Sequence, residues 1–96
     1  MVQIISKIKL FSTTRGRKTS FKNGYRPMFN FITETKTSGQ ITLIDREDFY
    51  PGEEGIVKIL FLNKKYLGFG FGKGTVFTFQ EGKELLGEGE VLEVLD

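Results

Sequence analysis

The chain has 96 residues, 39% of them apolar and 27% charged, a balance that supports one soluble globular domain over residues 1–96 rather than a disordered or collagen-like chain. It contains no cysteine and no histidine, which excludes disulfides and thiolate sites and removes the commonest general base and the usual zinc ligand. The net charge of +2 conceals an asymmetry: residues 1–36 hold eight lysines and arginines against the single acid Glu34, whereas residues 37–96 hold six against eleven acids. Either a closed fold mixes the two halves into a patchy surface, or the first half forms a basic face aimed at phosphates.

In chain order, Ile4, Ser6, Ile8 and Leu10 alternate with Lys7 and Lys9, the period of a strand. The two lysines also interrupt the N-terminal apolar stretch and argue against a signal peptide. Arg15, Arg17, Lys18 and Lys22 then form a basic stretch, which reads equally as a grip on a sugar–phosphate backbone or as an exposed loop. After an Asn23-Gly24 turn, Phe29, Phe31 and Thr33 alternate with Met28, Asn30 and Ile32 as a second strand. Ser38-Gly39 predicts a turn, and Ile41 and Leu43 mark a third strand. Asp45, Glu47, Asp48, Glu53 and Glu54 lack the spacing of a calcium loop and read as a solvated connection through Pro51-Gly52.

Residues 56–62 are dense in β-branched and apolar side chains and predict a strand buried on both faces. The run Ile59–Leu62 is far shorter than the roughly 20 residues that span a bilayer, so a cytoplasmic protein without membrane contact is expected. In the glycine-rich stretch 68–74, Lys73 precedes Gly74 rather than Ser or Thr, and no glycine triplet has dinucleotide spacing. The glycines are expected to let a barrel strand coil or bulge sharply while Phe69 and Phe71 pack on one face. Thr75–Gln80 supplies a fifth strand, Glu81-Gly82 a turn and Val91–Leu95 a sixth strand. Six strands with no helical period predict an all-β closed barrel or sandwich, with Phe29, Phe31, Ile41, Leu43, Ile59, Phe61, Phe77, Phe79 and Val91 in its core.

The run Gly16-Arg17-Lys18-Thr19, then Phe21, Asn23-Gly24-Tyr25-Arg26-Pro27, Phe29 and Phe31, resembles the opening of the C-terminal domain of bacterial elongation factor Tu. The similarity continues through Ser38-Gly39 and Ile41, Pro51-Gly52-Glu53, Phe77 and Phe79, Glu81-Gly82, Gly87 and Gly89, and Val94-Leu95. The resemblance implies a single closed six-stranded antiparallel β-barrel. It also implies a non-catalytic role: in the family this domain helps hold the tRNA T-stem, packs on the GTPase domain and offers a surface to elongation factor Ts. The GTPase domain and second barrel have no counterpart here, so no GTP or other cofactor is expected, and no metal.

Carried over residue by residue, the tRNA-contact positions fall on Arg17, Lys18, Ser38, Lys64 or Lys65, Glu81 and Gly82, while the family's glutamine falls on Met28. The segment Asn63–Gly74 departs most from the pattern, being longer and without the family's proline. Two functions are expected from this. One is a protein-interaction module that binds or mimics a partner in translation elongation, with Lys65, Tyr66, Phe69 and Phe71 as its new contacts. The other is an RNA-binding module that grips a tRNA stem through Arg17, Lys18, Ser38, Lys64, Glu81 and Gly82. Met1 lies close to the first strand, which suggests a stand-alone gene product.

Overall fold

Strands whose side chains alternate in and out bury every inward row at once when they close into a cylinder. The computed structural model describes residues 1–12, 19–32 and 35–95. Its strands are β1 (Val2–Leu10), β2 (Phe21–Lys22), β3 (Met28–Ile32), β4 (Thr35–Leu43), β5 (Asp48–Phe49), β6 (Glu54–Phe61), β7 (Val76–Glu81) and β8 (Glu84–Val94). Six of them form a closed antiparallel barrel in the order β1-β6-β4-β3-β7-β8, with β8 returning to β1. The other two, β2 and β5, pair with each other as a two-residue ribbon. The one helical piece among the described residues is a 3-10 turn over Lys64–Tyr66, and no described helix is long and apolar enough to cross a membrane.

The inward rows meet as expected. Phe29, Ile41, Ile59, Phe61, Phe77, Phe79 and Val91 are buried, joined by Ile4, Ile8 and Leu10 of β1 and Val57 of β6. Phe31 and Leu43 are only partly buried and pack against this cluster. Phe29 sits at the hub, edge-on to Phe61 at 5.1 Å and beside Phe77 and Phe79 at 5.7 and 5.8 Å between ring centroids. The buried Ser6 marks a bulge in the β1–β8 register, and its hydroxyl donates to the Glu90 carbonyl oxygen at 2.7 Å.

Three expectations are corrected. Residues 56–62 do not form a strand buried on both faces. Val57, Ile59 and Phe61 point inward, whereas Ile56 is 37% and Leu62 62% exposed, because no second layer covers the outside of the barrel. Ser38-Gly39 is not a turn but lies inside β4. Gly39 is required there by a close approach: a Cβ would stand 2.6 Å from the Phe61 ring and 2.9 Å from Phe29. The stretch 68–74 is not a strand, and Phe69 and Phe71 do not share a face: Phe71 packs against the core while Phe69 is in solvent.

Both ends of the barrel are filled. At one, the β2–β5 ribbon stacks Phe21 on Phe49 at 5.2 Å and on Tyr25 at 4.7 Å. The acidic connection is tied down at this end. Arg46 donates to Asp45 at 2.8 Å and to Glu53 at 3.4 Å, and lies 4.7 Å over the Phe49 ring. Gly55 makes room for it, since a Cβ would come within 2.5 Å of the Arg46 Nη2. Tyr50–Glu53 closes as a β-turn around Pro51 and Gly52, and the Gly52 amide donates to the Leu10 carbonyl oxygen at 2.7 Å. The other end is filled by Leu67 and Phe71, which follow the 3-10 turn.

Candidate interaction surface

The outward rows decide where the charge lies. On β1, Lys7 is paired in register with Glu90 of β8, and Lys9 with Glu88 of β8 and Glu54 of β6. Lys7 Nζ is 3.9 Å from the Glu54 carboxylate. Barrel closure thus brings the basic first strand between the acids of two later strands. Lys22 donates to Asp48 at 2.7 Å, and Ser20 donates to the same carboxylate at 3.0 Å. These two bonds, the Lys22 one first, hold the Asp48 carboxyl below the usual aspartate range, and Asp48 raises Lys22 in turn. The Arg46 guanidinium does the same to Asp45.

The Gly-Tyr-Arg-Pro element has a structural use. Tyr25 forms a backbone bridge to Ile41 of β4, and its hydroxyl donates to Glu81. Arg26 donates to Gln40 of β4 at 2.9 Å. Together these fasten the chain before β3 onto β4 and onto the end of β7.

The segment between β6 and β7 is built differently. The Asn63 side chain accepts from the Lys65 amide at 3.2 Å and starts the 3-10 turn, and the Leu67 amide closes it on the Lys64 carbonyl oxygen at 3.1 Å. Gly68, at φ +96°, then reverses the chain, and the Phe71 amide donates back to its carbonyl oxygen at 3.4 Å. Phe69 is left at the tip of that turn between two glycines and is fully exposed, at 114% of the reference area. Thr75 secures the return: its hydroxyl accepts from the Gly72 amide at 3.0 Å, and the Gly74 amide donates to the Val91 carbonyl oxygen of β8 at 2.8 Å. A cleft of about 400 Å³ opens between this turn and the end of β3, lined by Ile32, Lys64, Lys65, Gly68 and Phe69.

The expected contacts therefore separate. Lys65 and Phe69 line the cleft together, and the Lys65 ammonium lies 5.1 Å over the ring of the partly exposed Tyr66, which is not part of the cleft lining. Phe71 does not join them as a surface contact, because it stacks edge-on to Phe31 at 5.4 Å and packs against the core. Among the RNA-contact positions, Arg17 and Lys18 lie outside the described residues. Ser38 is exposed on β4 opposite Met28, which pairs on its other side with Gln80. Glu81 and Gly82 follow at the β7–β8 hairpin, where Gly82 has φ +54°. Lys64 follows β6 at the rim marked by Ile32, and the hairpin lies at the opposite rim, so Lys64 does not share a site with Glu81 and Gly82.

Ile32 is the lining residue that sequence reasoning missed. Its signal was present, since an isoleucine out of phase with the inward Phe29 and Phe31 has to face outward. Among the described residues no group of three or more Asp or Glu side chains is placed to hold a metal ion. The sequence matches no protein-family model.

Proposed function

We propose that the chain is a non-catalytic protein-interaction module of the elongation factor Tu C-terminal type, which binds a partner of that factor or stands in for its surface. The resemblance rests on the motif residues from Gly16 to Leu95, and the closed six-stranded barrel is the architecture it implies. The observation that carries the reading is Phe69. A phenylalanine held fully in water at the tip of a hydrogen-bonded turn, beside an apolar cleft, is the arrangement expected of an interface anchor. Lys7 and Lys22 are meanwhile engaged by carboxylates of the same chain, and Lys9 lies in register between Glu54 and Glu88, which weakens a broad basic face.

A second reading has one observation in its favour. Ser38, Met28 and Gln80 form a row across three adjacent strands that leads to Glu81 and Gly82, so part of the tRNA-contact set is contiguous. Titration calorimetry separates the two. Saturable binding to elongation factor Ts, competed by elongation factor Tu, is the expected result. Absence of such binding, together with binding to a tRNA minihelix at a log–log salt slope of about −2 to −4, transfers the assignment to RNA.

A further inference from the structure

Lys64, Lys65 and Lys73 around the Phe69 turn have no carboxylate within ion-pair distance among the described residues, as is also true of Lys9, Arg26, Lys36, Lys58 and Lys83. What sets these three apart is that they stand together in one segment, between β6 and β7. Residues 62–75 carry these three lysines and no acid. The cleft beside them is apolar, bounded by Ile32 and Phe69, and its size falls in the range of roughly 300–1,000 Å³ typical of side-chain and ligand clefts. Positive charge with no described carboxylate beside it, at the rim of an apolar notch, calls for the complementary pattern in whatever fills it.

Resting on the interaction-module reading, we infer that the partner docks here through an acidic peptide segment. It inserts one aromatic or branched aliphatic side chain between Ile32 and Phe69 and sets carboxylates on either side against Lys64 and Lys65. Phe69 supplies the apolar contact area, and the lysines supply orientation and rate of encounter more than raw affinity. The concavity favours a protruding side chain over a flat anionic bilayer, which would meet the tip of Phe69 and leave the notch empty. A second copy of the chain is disfavoured because its acidic segments are engaged at home: Asp45 and Glu53 by Arg46, Asp48 by Lys22, and the acid-rich β8 by its pairing with β1 and β7.

The test is selection of a random dodecapeptide phage library on the immobilised full chain, followed by amide-shift mapping with the enriched peptides. Enrichment of sequences with acids flanking an aromatic or aliphatic residue, with shifts at Ile32 and residues 64–69, is expected. Phe69→Ala, and separately Lys64→Glu with Lys65→Glu, should each weaken those peptides by about tenfold or more with melting unchanged. Enrichment of basic or uncharged sequences would overturn the inference, and so would acidic peptides whose binding ignores Phe69→Ala. Phe69-dependent binding to phosphatidylserine vesicles without peptide binding would assign the site to lipid instead, and Phe69-dependent dimerisation would assign it to a second copy. Acidic peptides in the cleft without any binding to elongation factor Ts would keep this site and remove the translation assignment. Elongation factor Ts binding that is indifferent to Phe69 and to acidic peptides would do the reverse.

Discussion

Phe69 and Phe71 stand two residues apart in one glycine-rich stretch, yet truncating them should have opposite consequences. Phe71 is partly buried, packs against the core and sits edge-on to Phe31, which itself contacts Phe61 and Phe77. Full burial of a phenylalanine makes its replacement by alanine cost ~3–5 kcal/mol, and an aromatic pair contributes ~0.5–1.5 kcal/mol beyond its area. Because Phe71 is mostly but not fully buried, Phe71→Ala should cost about 2–3 kcal/mol. For a domain of this size each kcal/mol lowers Tm by about 4–8 °C, so a drop of about 8–24 °C is expected. Phe69 touches little, and Phe69→Ala should stay within ~0.5 kcal/mol, or less than about 4 °C. Thermal denaturation followed by circular dichroism, with both variants and the parent at one protein concentration, reads the contrast directly. A Phe69→Ala variant that melts as early as Phe71→Ala would show that the turn folds back on the barrel, and the anchor reading would lose its basis.

The glycines of β8 should prove to be packing residues. A Cβ on Gly87 would stand 2.2 Å from the Lys9 carbonyl oxygen and 2.5 Å from the Phe79 ring, so Gly87→Ala should cost ~1–3 kcal/mol or more in urea unfolding. Gly70→Ala, with nothing within 4 Å, should be near neutral by the same measurement. Asp48 and Asp45 have folded pKa values lowered below 3.8, so their contribution to stability is present above about pH 4 and is lost as pH falls through the depressed values. Melting measured from pH 7 to pH 2 should therefore decline only below about pH 4, and Asp48→Asn should remove part of that decline. Titration with GTP and magnesium should give no binding heat, because Gly68–Gly74 forms turns with no helix N-terminus to receive a phosphate.

The barrel was readable in the chain because period-two alternation survives in β1, β4, β6 and β7, and because inward phenylalanines at Phe29, Phe61, Phe77 and Phe79 leave few other ways to bury them. The β2–β5 ribbon was not readable, since two-residue strands have no period to detect. Glycine was ambiguous for a physical reason. A turn and a close approach both favour the residue without a Cβ, so Gly82 at φ +54° and Gly39 under the Phe61 ring look alike in sequence. Charge was misleading in the same way. Seven of the first eight cations precede the first acid in the chain, but Lys7 and Lys9 meet Glu88 and Glu90 only because β8 closes the cylinder against β1. For the candidate site, composition named Lys65, Tyr66 and Phe69 together, and the structure sets Lys65 over the Tyr66 ring and beside Phe69 at the cleft. That Phe71 points inward, that Ile32 completes the cleft and that Lys64 lies at the rim opposite Glu81 follow from strand register and barrel closure. These are long-range pairings, which no local stretch of sequence encodes.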